Sequence, residues 1–288
     1  SAGGGVVTSM VEHPAVLETA RELTADAPDT LTLLPVDKDG LVDLADLYKA
    51  LESSKISIVS LMAANNETGV LTDLAPVVEA AHAAGALVHT DATQMVGRLP
   101  VDLADLDVDL LSLSAHKFGG PQGVGALFIR RGTDLPFRPL IFGGGQERGW
   151  RAGTLNVPGI SGAGAAAAAL VPKLREEQSR VSGFRDKLET ALTQQISGCY
   201  INGALEQRLP GVSNVTFPGA TADAVLTAMP EIAASDGSAC ASGAPTPSHV
   251  LLAMGRSREE ADSAMRFSLG HATTSRDIEA AIASTVRA

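Results

Sequence analysis

Aromatic residues are nearly missing from this chain. One Trp, two Tyr and seven Phe make up 3% of its 288 residues. A core of stacked rings is therefore excluded, and Ala, Val and Leu must fill it. Cysteine is as scarce. Cys199 and Cys240 are the only two, and neither belongs to a Cys-x-x-Cys pair. That excludes a disulfide framework and gives no zinc signature. Positive charge is also short: 22 Lys and Arg stand against 33 Asp and Glu, a formal charge of −11. A broad nucleic-acid face is excluded on that balance. No run approaches the ~20 apolar residues of a membrane span. Ser1 to Gly5 has neither the basic start nor the apolar stretch of a signal peptide. Together these absences predict a cytoplasmic protein that contacts neither nucleic acid nor membrane.

What is present is a large apolar inventory. Hydrophobic residues are 45% and charged residues 19%, enough for a sizeable core and too apolar for disorder. The first half alternates strand and helix patterns. Val6 to Ser9 reads as a strand and Ala15 to Leu23 as a helix. Asp43 to Leu51 has helical spacing, and Ile56 to Met62 is a continuous apolar strand. Leu74 to Ala84 is a helix closed by Gly85, and Ala86 to His89 is the next strand. This alternation predicts a parallel sheet covered on both faces. Gly159 to Ile196 is mostly helical, with Pro172 as a kink. After it, strands over Val212 to Phe217 and Met265 to Leu269, with helices over Ala222 to Met229 and Ser248 to Met254, predict a separate α+β layer.

Chemistry-bearing residues fall at the ends of the predicted strands. Ser114-Ala-His116-Lys117 ends one apolar run, and a turn with Gly119, Gly120 and Gly123 follows it. A lysine held there can form a Schiff base. Asp91 ends the preceding strand. A lysine to hold an aldehyde and an anion to keep a pyridine nitrogen protonated is the pairing that pyridoxal phosphate requires. Either residue alone reads as a surface lysine or a turn aspartate. Phe142 to Thr154 combines five glycines with two arginines and suits an anion-binding loop; the alternative is a flexible surface loop. Cys240 sits among small residues, accessible as a nucleophile must be, whereas Cys199 reads as packing. Arg266 lies inside an apolar strand and needs partners for its donors: a substrate carboxylate or an internal salt bridge. His13 follows a strand and precedes a helix, where a capping role competes with a functional one.

In order along the chain stand Thr-Ser-Met-Val-Glu-His13, Ala-Asn-Asn66-Glu-Thr-Gly, His-Thr-Asp91-Ala-Thr-Gln94, Ser114-Ala-His116-Lys117, Gly-Gly-Gly-Gln-Glu-Arg-Gly-Trp-Arg-Ala-Gly-Thr154, Gly-Ser-Ala-Cys240 and Met-Arg266-Phe-Ser-Leu-Gly. Taken together they resemble the cysteine desulfurases, aminotransferases of class V that depend on pyridoxal 5'-phosphate. The loop at Cys240 looks like that of the NifS and IscS group. The resemblance implies the type I fold of pyridoxal-phosphate-dependent transferases, an α/β fold. A large cofactor domain would span residues 1–170 and a smaller C-terminal α+β domain 171–288.

The resemblance also implies a division of roles. Lys117 holds the cofactor and moves the substrate Cα proton, Asp91 pairs with the pyridinium nitrogen, and His13 stacks on the ring. Gln94 and Asn66 bind the phenolate oxygen or the substrate carboxylate side. Ser114 and His116 bind phosphate, and Thr154 reaches the phosphate of the neighbouring subunit, which requires a homodimer. Arg266 clamps the carboxylate of L-cysteine. Cys240 attacks its sulfur and passes the persulfide to a sulfur-acceptor or scaffold protein, for iron–sulfur cluster assembly or tRNA thiolation. No metal is implied. A selenocysteine lyase would share every cofactor residue. Family chains also carry an N-terminal stretch, with an Ala-Thr or Gly-Thr phosphate loop, that has no counterpart in this sequence. A piece that keeps only dimer and partner surfaces is the non-catalytic alternative. Asp236 stands where the family commonly has serine.

Overall fold

A computed structural model describes residues 3–133, 135, 137–236 and 246–288. Its larger sheet has six strands: β1 (Gly5–Ser9), β2 (Leu31–Leu34), β3 (Ile56–Ser60), β4 (Leu87–Asp91), β5 (Leu110–Ser114) and β6 (Gly125–Ile129), in the order β2-β1-β3-β4-β5-β6. The first five run parallel and β6 pairs antiparallel to β5. The apolar strand residues Val7, Val59, Val88 and Leu111 pack with Leu47, Leu74 and Val78 from the helices. Helices α1 (Pro14–Leu23), α2 (Leu44–Ser53), α3 (Leu74–Ala83) and α4 (Leu103–Leu106) connect the strands. The last three start on aspartates, Asp43, Asp73 and Asp102, each of which accepts a backbone N–H two residues on. Each thereby satisfies one of the donors a helix start leaves open. Strand β2 has no counterpart in the sequence reading, because its Leu-Thr-Leu-Leu run is too short to show a period.

The helical stretch after β6 breaks at the expected proline. Helix α5 (Val157–Leu170) passes through a 3₁₀ turn at Val171–Lys173 into α6 (Leu174–Gln195). Over an 18-residue window of mean hydropathy 1.2, the run Val157–Gln195 is long and apolar enough to cross a membrane by length and composition, and 6% of that window is buried. A rule of consecutive apolar residues misses it because glycines and alanines carry much of α5.

The C-terminal part builds its own core. Strands β7 (Tyr200–Ile201), β8 (Val212–Thr216) and β9 (Ala264–Ser268) form an antiparallel sheet. Helices α7 (Ala222–Ala228), α8 (His249–Ala253), α9 (Arg258–Asp262) and α10 (Ser275–Arg287) accompany it. Leu188, Leu192, Val215, Met265 and Ile278 pack in this second core, with Cys199 among them. The two sheets meet at the turn after β3. Gly69 has φ +80°, and a Cβ there would lie 2.9 Å from the Cβ of Val212. Only glycine combines that backbone with that approach.

Leu111 is fully enclosed in the strand that leads to Ser114 and Lys117. Leu111→Ala removes buried methyl groups and leaves a cavity, so unfolding in urea should show a loss of about 2–5 kcal/mol. A loss under 1 kcal/mol would mean that the sheet centre is not packed as described.

Candidate active site

A parallel sheet with helices on both faces offers ligands the edge beyond its strand carboxyl ends. Four turns deliver polar side chains there: His13 follows β1, Asn66 follows β3, Asp91 ends β4, and Lys117 lies on the 3₁₀ turn after β5. His13 connects the group electrostatically. Its imidazole pKa is lowered chiefly by burial; the Asp91 carboxylate raises it, and Lys117 and His249 lower it. Asp91, Lys117 and His249 thus converge on one half-buried ring.

Each of the other anticipated residues has a definite setting. His13 caps α1, its Nδ1 accepting the Ala15 N–H at 3.1 Å. One Asp91 oxygen accepts the Thr93 N–H at 2.9 Å. That oxygen fixes the turn, so the aspartate combines both readings its sequence allows. Ser114 Oγ and His116 Nδ1 are 2.8 Å apart. Gln94 Oε1 accepts from Arg98 Nη1 at 2.5 Å. Arg266 Nη1 donates to the Asn66 carbonyl at 3.0 Å. Its Nε is buried with no hydrogen-bond partner among the described residues. Among the described residues Arg266 makes no salt bridge, although its charge acts on the buried Glu67 carboxyl and lowers that pKa. Thr154 is exposed and, among the described residues, makes no hydrogen bond to this group. Cys240 lies outside the described residues. Cys199 is a buried thiol whose Sγ donates to the Leu192 carbonyl at 3.3 Å, and burial raises its pKa.

Several residues at this edge escaped the sequence reading. Arg98 is half-buried, and burial lowers its pKa, followed by the charge of Arg266. It lines a cavity of about 260 Å³ with His116, Lys117, Glu177, Leu269 and His271. Gly97 beside it has φ +83°, and a Cβ there would come within 2.3 Å of Phe118 Cβ. His89 bridges Ser60 Oγ at 2.8 Å and Ser112 Oγ at 3.1 Å, tying three strands together. Glu12 is wholly buried. Its Oε1 accepts from Ser9 Oγ at 2.8 Å and from the Met62 N–H at 2.9 Å, while Oε2 has no partner among the described residues. Burial pushes its pKa from 4.5 up to about 8, and Asp91 adds to the rise. The available signal was an acid directly beside each singled-out residue, Glu12 before His13 and Glu67 after Asn66.

The ring-side requirements of pyridoxal phosphate fit this arrangement: an amine and a carboxylate on neighbouring strand ends, with an imidazole that senses both charges. The buried Arg266 Nε, without a partner among the described residues, fits a carboxylate-bearing substrate.

The sequence model described as Aminotransferase class-V matches residues 1–281. The chain is 46% identical over 276 residues to a protein from Gluconacetobacter diazotrophicus named cysteine desulfurase, spanning 95% of this chain and 68% of that one. It is 43% identical over 280 residues to the cysteine desulfurase IscS of Proteus mirabilis, spanning 97% and 69%. The structure superimposes on a NifS-like protein from Rickettsia africae with a TM-score of 0.86 at 34% identity, covering 98% of this chain and 74% of that one. A second NifS-like protein matches with a TM-score of 0.88 at 36% identity, covering 100% and 75%.

Glu12 carries a sign for pH. Between pH 4.5 and 8 the folded chain holds a proton there that the unfolded chain has released, so stability falls as pH rises. Glu12→Gln, which mimics the neutral acid, should flatten urea-unfolding free energies between pH 5 and 8, removing up to about 1.4 kcal/mol per pH unit. An unchanged slope in the variant would mean that Glu12 is ionised in the fold.

Proposed function

The chain belongs to the class-V aminotransferases, and within that family we infer that it is a cysteine desulfurase, which takes sulfur from L-cysteine and leaves L-alanine. The observation that carries this reading is the placement of His13, Asp91 and Lys117 at or just past the carboxyl ends of β1, β4 and β5. Lys117 and Asp91 would hold pyridoxal 5'-phosphate, with His13 against its ring, Gln94 and Asn66 on its oxygen side, and Ser114 and His116 toward its phosphate. Bound there, the cofactor supplies an electron sink for the bond broken at the substrate Cα.

The chain's own residues do the rest. Asp91 stays anionic opposite the pyridine nitrogen, its other oxygen already fixed by Thr93. The Lys117 amine takes the Cα proton and returns it to the product. Arg266 orients the substrate by its carboxylate. The Cys240 thiolate attacks the substrate sulfur: an S–S bond forms, the C–S bond breaks, and its electron pair leaves with the three-carbon fragment. Protonation of that fragment gives alanine, and the persulfide stays on Cys240 for an acceptor or scaffold protein. Iron–sulfur cluster assembly is consistent with the relatives' names.

We further propose a homodimer. Leu140, Ile141, Phe142, Val157 and Ile160 are exposed around Thr154 and the start of α5. A second copy packed there would cover them and carry Thr154 to the neighbouring phosphate. The proposed boundary between a cofactor domain, 1–170, and a smaller domain, 171–288, follows the break between α5 and α6. The free Cys199 thiol suits a reducing cytoplasm.

Lys117→Ala should abolish alanine release and any borohydride-reducible lysine adduct; an adduct that persists on another lysine would overturn its role. Cys240→Ser should bind the cofactor but release no alanine, and mass spectrometry after a cysteine pulse should find added sulfur on the Cys240 peptide. Cys199→Ser should turn over normally. Sulfur found on Cys199 instead would reject the mechanism. Heterodimers that pair a Thr154-defective with a Lys117-defective chain should regain partial activity, and verified heterodimers without any would show that each site is built from one chain.

A further inference from the structure

The turn after β3 is fixed far more tightly than a loop needs. Asn65 Oδ1 accepts the N–H groups of Glu67 at 2.9 Å and Thr68 at 3.0 Å. Asn65 Nδ2 donates to the Val11 carbonyl at 3.0 Å, beside the Glu12-His13 turn. The Glu67 carbonyl accepts from Asn214 Nδ2 at 3.3 Å, and Asn214 pairs directly with Arg266 across β8 and β9. The Glu67 side chain is buried, and its Oε2 accepts from Ser248 Oγ at 2.5 Å. Ser248 is the cap of α8, and the next residue, His249, donates its Nε2–H to the Glu12 carbonyl at 2.9 Å. The Asn65 side chain, the Glu67 N–H and carbonyl, and Glu67 Oε2 are thus all engaged. One carbonyl, that of Asn66, is given to Arg266.

This arrangement decides where the guanidinium points. Arg266 has its Nη1 held by the Asn66 carbonyl while its buried Nε finds no partner among the described residues. A side chain with five donors held by one backbone oxygen stays in place only if that oxygen stays in place. The Asn66 carbonyl belongs to the peptide that joins Asn66 to Glu67: Asn65 Oδ1 holds the N–H of that peptide, and the Glu67 carbonyl and side chain anchor the residue at its far end. Burial raises the Glu67 pKa; the Ser248 hydrogen bond, His249 and Arg266 lower it, and Asp236 adds to the rise. A carboxyl buried against that cost is retained for its geometry.

We propose that Glu67, held by Ser248, is a positioning residue for substrate carboxylate recognition: it sets the Asn66 carbonyl, and through it the orientation of Arg266. The inference rests on the desulfurase reading only in taking the substrate as an α-amino acid. Glu67 touches neither substrate nor cofactor. Its contribution is therefore specific to ligands that carry the carboxylate.

The test compares L-alanine, the product, with ethylamine, the same amine without its carboxylate, as ligands of the cofactor-loaded protein. Binding is read from the cofactor absorption, so turnover is not needed. Glu67→Ala and Ser248→Ala should each weaken L-alanine about 10-fold, as small misplacements of an orienting group do, and leave ethylamine within about twofold. The double variant should lose no more than either single one, because both remove the same link. Glu67→Gln, which keeps an oxygen acceptor for Ser248, should recover most of the L-alanine affinity. Should Glu67→Ala not fold, Ser248→Ala against Glu67→Gln gives the same contrast. Equal weakening of both ligands, or no weakening in folded variants, would overturn the inference. Parent protein that binds L-alanine over ethylamine but makes no alanine from cysteine would reject the desulfurase reading and leave the positioning role standing.

Discussion

Five parallel strands that all end on one edge impose the constraint on which the remaining structure depends. Both faces of such a sheet are covered, so the strands must be apolar throughout and their polar residues are pushed past their ends. Val7, Val59, Val88 and Leu111 meet the first demand, and His13, Asn66, Asp91 and Lys117 meet the second. Strand order adds the crevice. The chain leaves β1 for β2 on one side and returns to β3 on the other, so the connections diverge between β1 and β3. Glu12 spans that gap by accepting from Met62 beyond β3. The carboxyl edge is therefore braced from beneath before any ligand arrives.

Three acids gather at this edge, and they cannot all be charged cheaply. Glu12 keeps its proton up to about pH 8 because burial opposes ionisation and Asp91 adds repulsion. Glu67 is pushed the same way by burial. Buried in this way, Glu12 still accepts through Oε1 from Ser9 and from the Met62 N–H, and Glu67 through Oε2 from Ser248, so each side chain braces its turn. The same turns join the two sheets. Ser248 and His249 at the start of α8 reach Glu67 and the Glu12 carbonyl, and Arg266 and Asn214 on the small sheet reach Asn66 and Glu67.

The sequence exposed the strand-end residues because each sits where an apolar run stops, a pattern that periodicity reveals. It exposed the parallel sheet for the same reason, and the helix break at Pro172 through the proline itself. It hid β2, whose four residues carry no period. It hid Arg98 and Glu67, because their importance comes from residues distant in the chain: Arg98 from Arg266, and Glu67 from Ser248, 181 positions away. Gln94 shows the limit in another way. The family resemblance implies a ligand contact for it, and its oxygen accepts from Arg98. Local pattern can say that a polar side chain is at the edge; it cannot say which neighbour has claimed it.

The helix that links the two sheets presents a choice that its sequence alone leaves open. Its first half, α5, is rich in glycine and alanine and lies mostly exposed, while α6 carries Arg175, Glu176, Glu177 and Arg180 within two turns. Immersing the whole 39-residue run would take these ionised side chains into hydrocarbon, which costs several kcal/mol for the group. Arg180 is moreover engaged, donating to Glu177 and to the carbonyls of Gly270, His271 and Thr273 beside β9. That anchors α6 to the small sheet and fixes the direction in which α5 leaves it. Small side chains let another helix approach closely, and the exposed Val157 and Ile160 provide the apolar area for contact. The second copy proposed above would at once bury α5 and bring Thr154 to a neighbouring site.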